Sequence, residues 1–202
     1  MKVQYKKLDI GCGASKCESD ATGIDIAPGP GVDLVGDALL ILQSMEANSV
    51  GSIYSSHFLE HHDNPAAILK EMVRVVIPGG QIEIRVPHFS DPWFYSDPTH
   101  KHMFGLYTFC YYFAFAKFQR KVPNYALIEG AQIQYIYLKF GSTRPFYLRH
   151  AFKKVLQFFV NLSHFTLELY EELFSKFLPC SEIRVLIVKD ESVNPTSPTT
   201  LE

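Results

Sequence analysis

Short apolar runs separated by polar or glycine-containing links dominate the first 87 residues: KKLDI, TGIDI, VDLVGDA, SVGSIYSSH and GQIEIRVP. Runs of this length, rich in Val and Ile and bounded by turn residues, predict strands. Before the fifth run the period changes. Ile68, Met72, Val75 and Val76 recur at helical spacing, Asn64 can cap the helix, and Pro65 sits where a first-turn proline is tolerated. Pro78-Gly79-Gly80 then predicts a stop and a turn. Strands that alternate with crossovers imply an α/β fold, doubly wound around a mostly parallel sheet with covered faces. From His88 the character changes to the aromatic-crowded HFSDPWFYSDPTHKHMFGLYTFCYYFAFAKF, followed by a strand in QIQYIYLKF, helical stretches at about 147–161 and 165–177, and a strand in EIRVLIVKD. The two late strands are expected to complete the sheet, the C-terminal one antiparallel. The segments at about 88–130 and 141–180 are expected to form an aromatic-rich substrate lid on a single domain of residues 1–191. The Pro, Thr and Ser content of 192–202 predicts a disordered tail.

Composition narrows the partners. A formal net charge of -2 on 202 residues gives no global field to attract a phosphate backbone, and only KFQRK at 117–121 hints at a basic patch, so no nucleic-acid partner is expected. No apolar run reaches the ~20 residues of a spanning helix, and the N-terminus lacks a signal-like apolar region, so no transmembrane segment and a cytoplasmic location are expected. Cys12, Cys17, Cys110 and Cys180 lack the spacing of a common zinc or redox motif and read as reduced thiols.

The chemistry begins at LDIGCGASK, a strand running into a glycine loop. Gly11 and Gly13 permit a tight turn and close approach of a ligand to the backbone. A dinucleotide fingerprint would want a third glycine where Lys16 stands and an acid farther on than Asp25, which argues against NAD. Asp25, ending the second strand, is placed to accept hydrogen bonds from both hydroxyls of a ribose, and Asp37, one strand later, from an adenine amino group. Each acid could instead cap a loop.

The succession LDIGCG, GIDI, VGDA and SSHFLEHHDNPAAILKEMVRVVIPGGQIEIRVP, over about residues 5–88, resembles the sequential motifs of class I S-adenosylmethionine-dependent methyltransferases. The resemblance implies a Rossmann-like fold and S-adenosyl-L-methionine as cofactor. It implies that Asp9, Gly11 and Gly13 surround the methionine portion, that Asp25 binds ribose, that Asp37 faces adenine and that Ser55, Ser56 and His57 lie beside the sulfonium. Cys12, Ile26 and Ala38 complete the cofactor set it implies. Ser15 replaces a glycine common in that family, and the short link to the second strand leaves room for a first helix of only about two turns.

His57, Glu60 and His61 spell H-x-x-E-H, which on a helix would read as an inverted zinc-peptidase motif; His57 follows directly on a strand, which argues against it. His57, His61, His62, His88, Asp91, Asp97, His100 and His102 fall within 46 positions, and a substrate-side metal is conceivable; caps, solvated loop positions and substrate hydrogen-bonders are the favoured roles, and no metal site is expected. Trp93, Phe94, Tyr95, Phe109, Tyr111, Tyr112 and Phe113 could stack on a flat substrate or form core beneath the lid. The late helices, carrying Lys153, Lys154, Glu171 and Glu172, are expected to pack on the sheet, with a homodimer face or a membrane-surface contact as the alternatives. VPHFSDPWFYSDPTHKH follows the fifth strand and so aims at the cofactor crevice, making His88 and His100 the candidate acid/base or acceptor-orienting groups, supported by Asp97 and His102. The expected activity is methyl transfer to oxygen of a small-molecule or glycan acceptor. The alternatives are a cofactor-binding regulatory or assembly subunit without catalysis, a nucleic-acid methyltransferase and a zinc hydrolase.

Overall fold

A computed structural model describes residues 3–123, 125–142 and 145–191; the tail expected to be disordered, 192–202, lies outside the described residues. Seven strands, β1 (Tyr5–Ile10), β2 (Thr22–Asp25), β3 (Leu34–Val35), β4 (Val50–Ser56), β5 (Val76–Pro87), β6 (Ala131–Lys139) and β7 (Glu182–Lys189), form one sheet in the order β3-β2-β1-β4-β5-β7-β6. Strands β1 to β5 pair in parallel, while β7 runs antiparallel to both β5 and β6. The order reverses beside β1, and such a switch point opens a crevice at the carboxyl ends of the strands.

Period-two alternation explains the two faces. Leu8, Ile53, Ile82 and Ile187 lie side by side across β1, β4, β5 and β7 and are almost wholly buried. Helix α2 (Pro65–Val75), capped by Asn64 Oδ1 at 3.1 Å from the Ala67 amide, buries Ile68, Leu69, Met72 and Val73 in the same core, and α1 (Ala38–Ser44) adds Leu42. Each buried aliphatic side chain contributes about 1.5–3 kcal/mol of transfer free energy, so this layer dominates the stability. The opposite face, with Lys7, Tyr54, Glu83, Arg85 and Arg184, stays partly exposed.

The architecture is the one expected, with local differences. No helix follows β1. Buried Asp9 accepts the Cys17 amide, and Lys7 holds Glu18 and Asp20, so the short link is drawn back over β1 as a series of turns. Pro78-Gly79-Gly80 does not end in a separate turn but bulges inside β5: Val76 pairs with Val50, the next pair is Gln81 with Ser52, and Gly79 takes φ +74°. Helix α1 had no counterpart in the apolar pattern; its signal is Asp37, which caps it.

The segment at 88–130 is only partly a lid. After α3 (Pro92–Ser96) the chain turns inward, and Phe104, Phe109, Phe113 and Phe118 are buried, the first two stacked with centroids 5.6 Å apart. Helices α4 (Tyr147–Val160) and α5 (His164–Leu169), the latter continued by a π-turn over Tyr170–Phe174, match the expected stretches. Their packing differs from expectation. Val160 is the only fully buried residue of α4, and Leu148, Phe152, Phe158 and Phe159 stand exposed. Polar side chains attach the helix instead: Asn161 accepts from the Leu138 amide and donates to its carbonyl, and Gln157 accepts from the Phe140 amide. Two amides thus stand in for a neighbouring strand along the edge of β6, satisfying backbone groups that an open edge would leave unpaired.

Candidate active site

Every parallel strand delivers its C-terminal residues to one edge, and six of the eleven predicted cofactor residues line a cavity there, while Gly13 does not. Gly11, Asp25, Ile26, Asp37, Ala38 and His57 line a cavity of about 330 Å³ together with Phe58, His61 and His62. The glycine loop is shaped by sterics. Gly11 has φ +73°, and a Cβ there would lie 2.5 Å from Phe58 Cβ, so neither backbone nor space accepts a side chain. Gly11→Ala should therefore destabilise the protein by about 1–3 kcal/mol, the scale of a non-glycine residue in a strained region, and weaken ligand binding in this cavity. Thermal unfolding and calorimetry check it; an unchanged melting temperature would show that Phe58 can move aside.

Asp25 braces the loop, its Oδ2 accepting the Gly13 amide at 2.9 Å and its Oδ1 the Ala27 amide at 3.1 Å. A carboxylate has about four acceptor sites, so capacity remains for ligand hydroxyls. Asp37 accepts the Leu39 and Leu40 amides through Oδ1, so the capping role is realised while Oδ2 stays available. Asp9, Cys12 and Ser55 are buried and do not line the cavity. Cys12 Sγ contacts the Gly31 carbonyl at 3.3 Å; Asp9 Oδ1 and Ser55 Oγ have no hydrogen-bond partner, and burial raises the Asp9 pKa. Ser56 pairs with Arg85 in the sheet and does not reach the cavity.

His57 occupies the pivotal position. It directly follows β4, has φ +53°, and lines this 330 Å³ cavity as well as two others, of about 510 and 670 Å³, on the side of β5, β6 and α4. Its Nε2 is 3.3 Å from Glu182 Oε2 and its Nδ1 3.4 Å from Glu60 Oε1; these two carboxylates, Glu182 foremost, raise its pKa to about 9. Burial pushes the Glu182 carboxyl up, but His57, Arg184 and Lys139 outweigh it and hold the pKa near 2.

The candidate catalytic residues separate. His100 and Asp97 line the 510 Å³ cavity with His57, Asp91 and Trp93. His88 does not: it is fully buried, with Nδ1 2.7 Å from Ser90 Oγ and Nε2 2.9 Å from Glu171 Oε2. Both ring nitrogens are engaged and it lines none of these cavities, so His88 braces the segment after β5 against the π-turn. His102 touches the Asp63 carbonyl at 3.3 Å, on the flank of the site. The larger cavity contains residues that the sequence reading passed over as a site: Lys139, Arg149, His150, Lys153, Ser181 and Glu182. Only the late strands and α4, brought together by the fold, make them neighbours.

Residues 8–84 match the family model of a methyltransferase domain. A comparison with curated protein sequences found no match. Among solved structures, the chain is similar to a SAM-dependent methyltransferase from Archaeoglobus fulgidus, at 18% identity over 93% of this chain and 87% of that one, with a TM-score of 0.60. It is also similar to Haemonchus contortus phosphoethanolamine N-methyltransferase 2 in complex with S-adenosyl-L-methionine (14% identity, 94% and 49% coverage, TM-score 0.52) and to the YcgJ protein of Bacillus subtilis (15%, 95% and 94%, TM-score 0.50). At these identities the likeness is one of fold.

Proposed function

We propose that the chain, whose residues 8–84 match the family model of a methyltransferase domain and whose fold is similar to that of a SAM-dependent methyltransferase, transfers a methyl group from S-adenosylmethionine to an oxygen of a small-molecule or glycan acceptor bearing an acidic group. The observation that carries this reading is the position of His57 at the wall shared by the cofactor cavity and the two cavities beyond it. S-adenosylmethionine fits the first cavity by donor set: acidic side chains at Asp25 and Asp37 for ribose and adenine, and a glycine loop for the methionine end. Bound there, S-adenosylmethionine would supply the methyl group: the methyl would pass to an acceptor oxygen, sulfur would keep the electron pair of the broken carbon–sulfur bond and leave as S-adenosylhomocysteine, and the hydroxyl proton would pass to solvent. In-line displacement of this kind needs alignment above all, and the cavity walls supply it.

The cations select the acceptor. Lys139, Arg149 and Lys153 line the larger cavity together with Asp91 and Glu182, and Lys139 is paired with Glu182 at 3.1 Å, which leaves Arg149 and Lys153 for the acceptor. Burial lowers the pKa of Lys153, and Asp91 offsets only part of that shift. A carboxylate or phosphate on the acceptor is the natural counter-charge. Lys153→Ala should raise KM for such an acceptor roughly tenfold, the scale of one charge-assisted hydrogen bond, with kcat little changed. Transfer of labelled methyl groups from S-adenosylmethionine to panels of acidic and neutral hydroxyl compounds tests the reading; labelling confined to neutral acceptors overturns the acidic selection, and labelling confined to nitrogen overturns the oxygen assignment.

A further inference from the structure

Beneath the wall between the cofactor and acceptor cavities, Glu60 presents an anomaly. Its side chain is fully buried, and neither carboxylate oxygen has a hydrogen-bond partner among the described residues. An ionised carboxylate left so in a protein interior costs several kcal/mol unless a cation or donors compensate it. The nearest cationic group is His57, whose Nδ1 is 3.4 Å from Oε1 without hydrogen-bond geometry. Around the same carboxylate, His61 and His100 each bring one donor nitrogen, and the three ligand atoms lie within 4.8 Å of one another.

Both rings are held in the tautomer that metal ligation requires. His100 Nδ1 is 2.8 Å from the Phe94 carbonyl, which can only accept, so this nitrogen carries the proton and Nε2 keeps its lone pair. His61 Nδ1 is 2.9 Å from Thr99 Oγ1, whose own proton goes to Asp97 Oδ1 at 2.6 Å. The hydroxyl therefore accepts from His61 Nδ1, and Nε2 is again free, 4.0 Å from Glu60 Oε1. Ligating histidines characteristically donate their other ring N–H to a carbonyl or a carboxylate-linked group in this manner. The backbone fixes the arrangement: the Lys101 amide donates to the Glu60 carbonyl at 2.7 Å, tying the loop that carries His100 to the turn that carries Glu60 and His61.

We propose that Glu60, His61 and His100 bind one divalent first-row transition metal ion, of the zinc, cobalt or manganese type. Two imidazoles and one carboxylate are borderline ligands that suit these ions over magnesium, and three protein ligands leave positions open. A small contraction would bring the donors to bonding distance. The site adjoins both cavities: His61 lines the cofactor cavity and His100 the acceptor cavity. On the methyl-transfer reading, an acceptor hydroxyl bound there would lose its proton to solvent more readily and become a better nucleophile. Metal binding itself does not rest on that reading.

The test uses the full chain, stripped with a chelator and titrated with zinc by calorimetry and with cobalt by visible absorption, magnesium serving as the control. One ion per chain is expected, with a cobalt spectrum of low-symmetry nitrogen and oxygen ligation. His61→Ala and His100→Ala should each weaken zinc binding at least tenfold, and Glu60→Gln should do so while removing the buried charge. Calorimetry with S-adenosylhomocysteine on His100→Ala runs in parallel: retained cofactor binding with lost metal binding supports the site. Absence of stoichiometric uptake, or uptake unchanged in both histidine variants, overturns it and leaves Glu60 as the ion-pair partner of His57 only. If Glu60→Gln fails to fold, the two histidine variants decide the question alone. Loss of cofactor binding in the wild-type chain, with metal uptake intact, would overturn the functional reading and not the metal site.

Discussion

Phe109→Ala is expected to lower the stability of the protein by about 3–5 kcal/mol, the range for removing a fully buried aromatic ring without refilling its space. Phe109 has no solvent exposure, stacks on Phe104 and belongs to the core formed with the sheet. A lid residue would behave otherwise, because its packing would be lost in the open state and its removal would cost little. Denaturant unfolding of the variant, compared with Trp93→Ala on the exposed part of the same segment, measures the difference. A cost below about 1 kcal/mol, the level of surface changes, would return the whole segment to the lid.

Asp25→Ala should weaken S-adenosylmethionine binding by about 1.5–3 kcal/mol, the usual range for hydrogen bonds to a charged group, which is roughly 10- to 150-fold in Kd. Two effects combine here. The carboxylate would lose its ribose contacts, and the Gly13 amide would lose the acceptor that holds the glycine loop. Asp25→Asn separates them, since its carbonyl oxygen can still take the Gly13 amide while charge and one acceptor are gone. An affinity close to wild type for Asn and a large loss for Ala would make loop bracing the main contribution. Unchanged affinity in both variants would remove Asp25 from the ribose site.

What was legible in the sequence follows physical range. Strands β1 to β5 and helix α2 rest on short apolar runs, a capping Asn64 and a first-turn Pro65, all local signals, and each appears at its place. The cavity at the strand ends was readable for the same reason, because a glycine loop and acids at strand ends lie next to the strands that position them. The cavities beyond it were not. Lys139, Lys153 and Glu182 meet only because β7 inserts between β5 and β6, a pairing that no local pattern specifies. His88 looked like a site residue by position, but Glu171, 83 residues away in the chain, takes its Nε2. The H-x-x-E-H spacing was visible, yet the residue that joins Glu60 and His61 is His100 from another loop, while His57, 3.4 Å from Glu60, also reaches Glu182.

The interior position of β7 also bears on how the chain assembles. β6 has no strand partner except β7, and β5 shows an open side until β7 arrives, so both must persist through the making of α4 and α5 before the sheet can close. Pairings of such long sequence separation form late and slowly, and unpaired edges invite association between molecules meanwhile. On the ribosome, the apolar α4 and the waiting edge of β5 would emerge together ahead of the strand that shields one of them. Yield in a host should therefore depend on translation speed and chaperone supply more than the finished protein's stability would suggest.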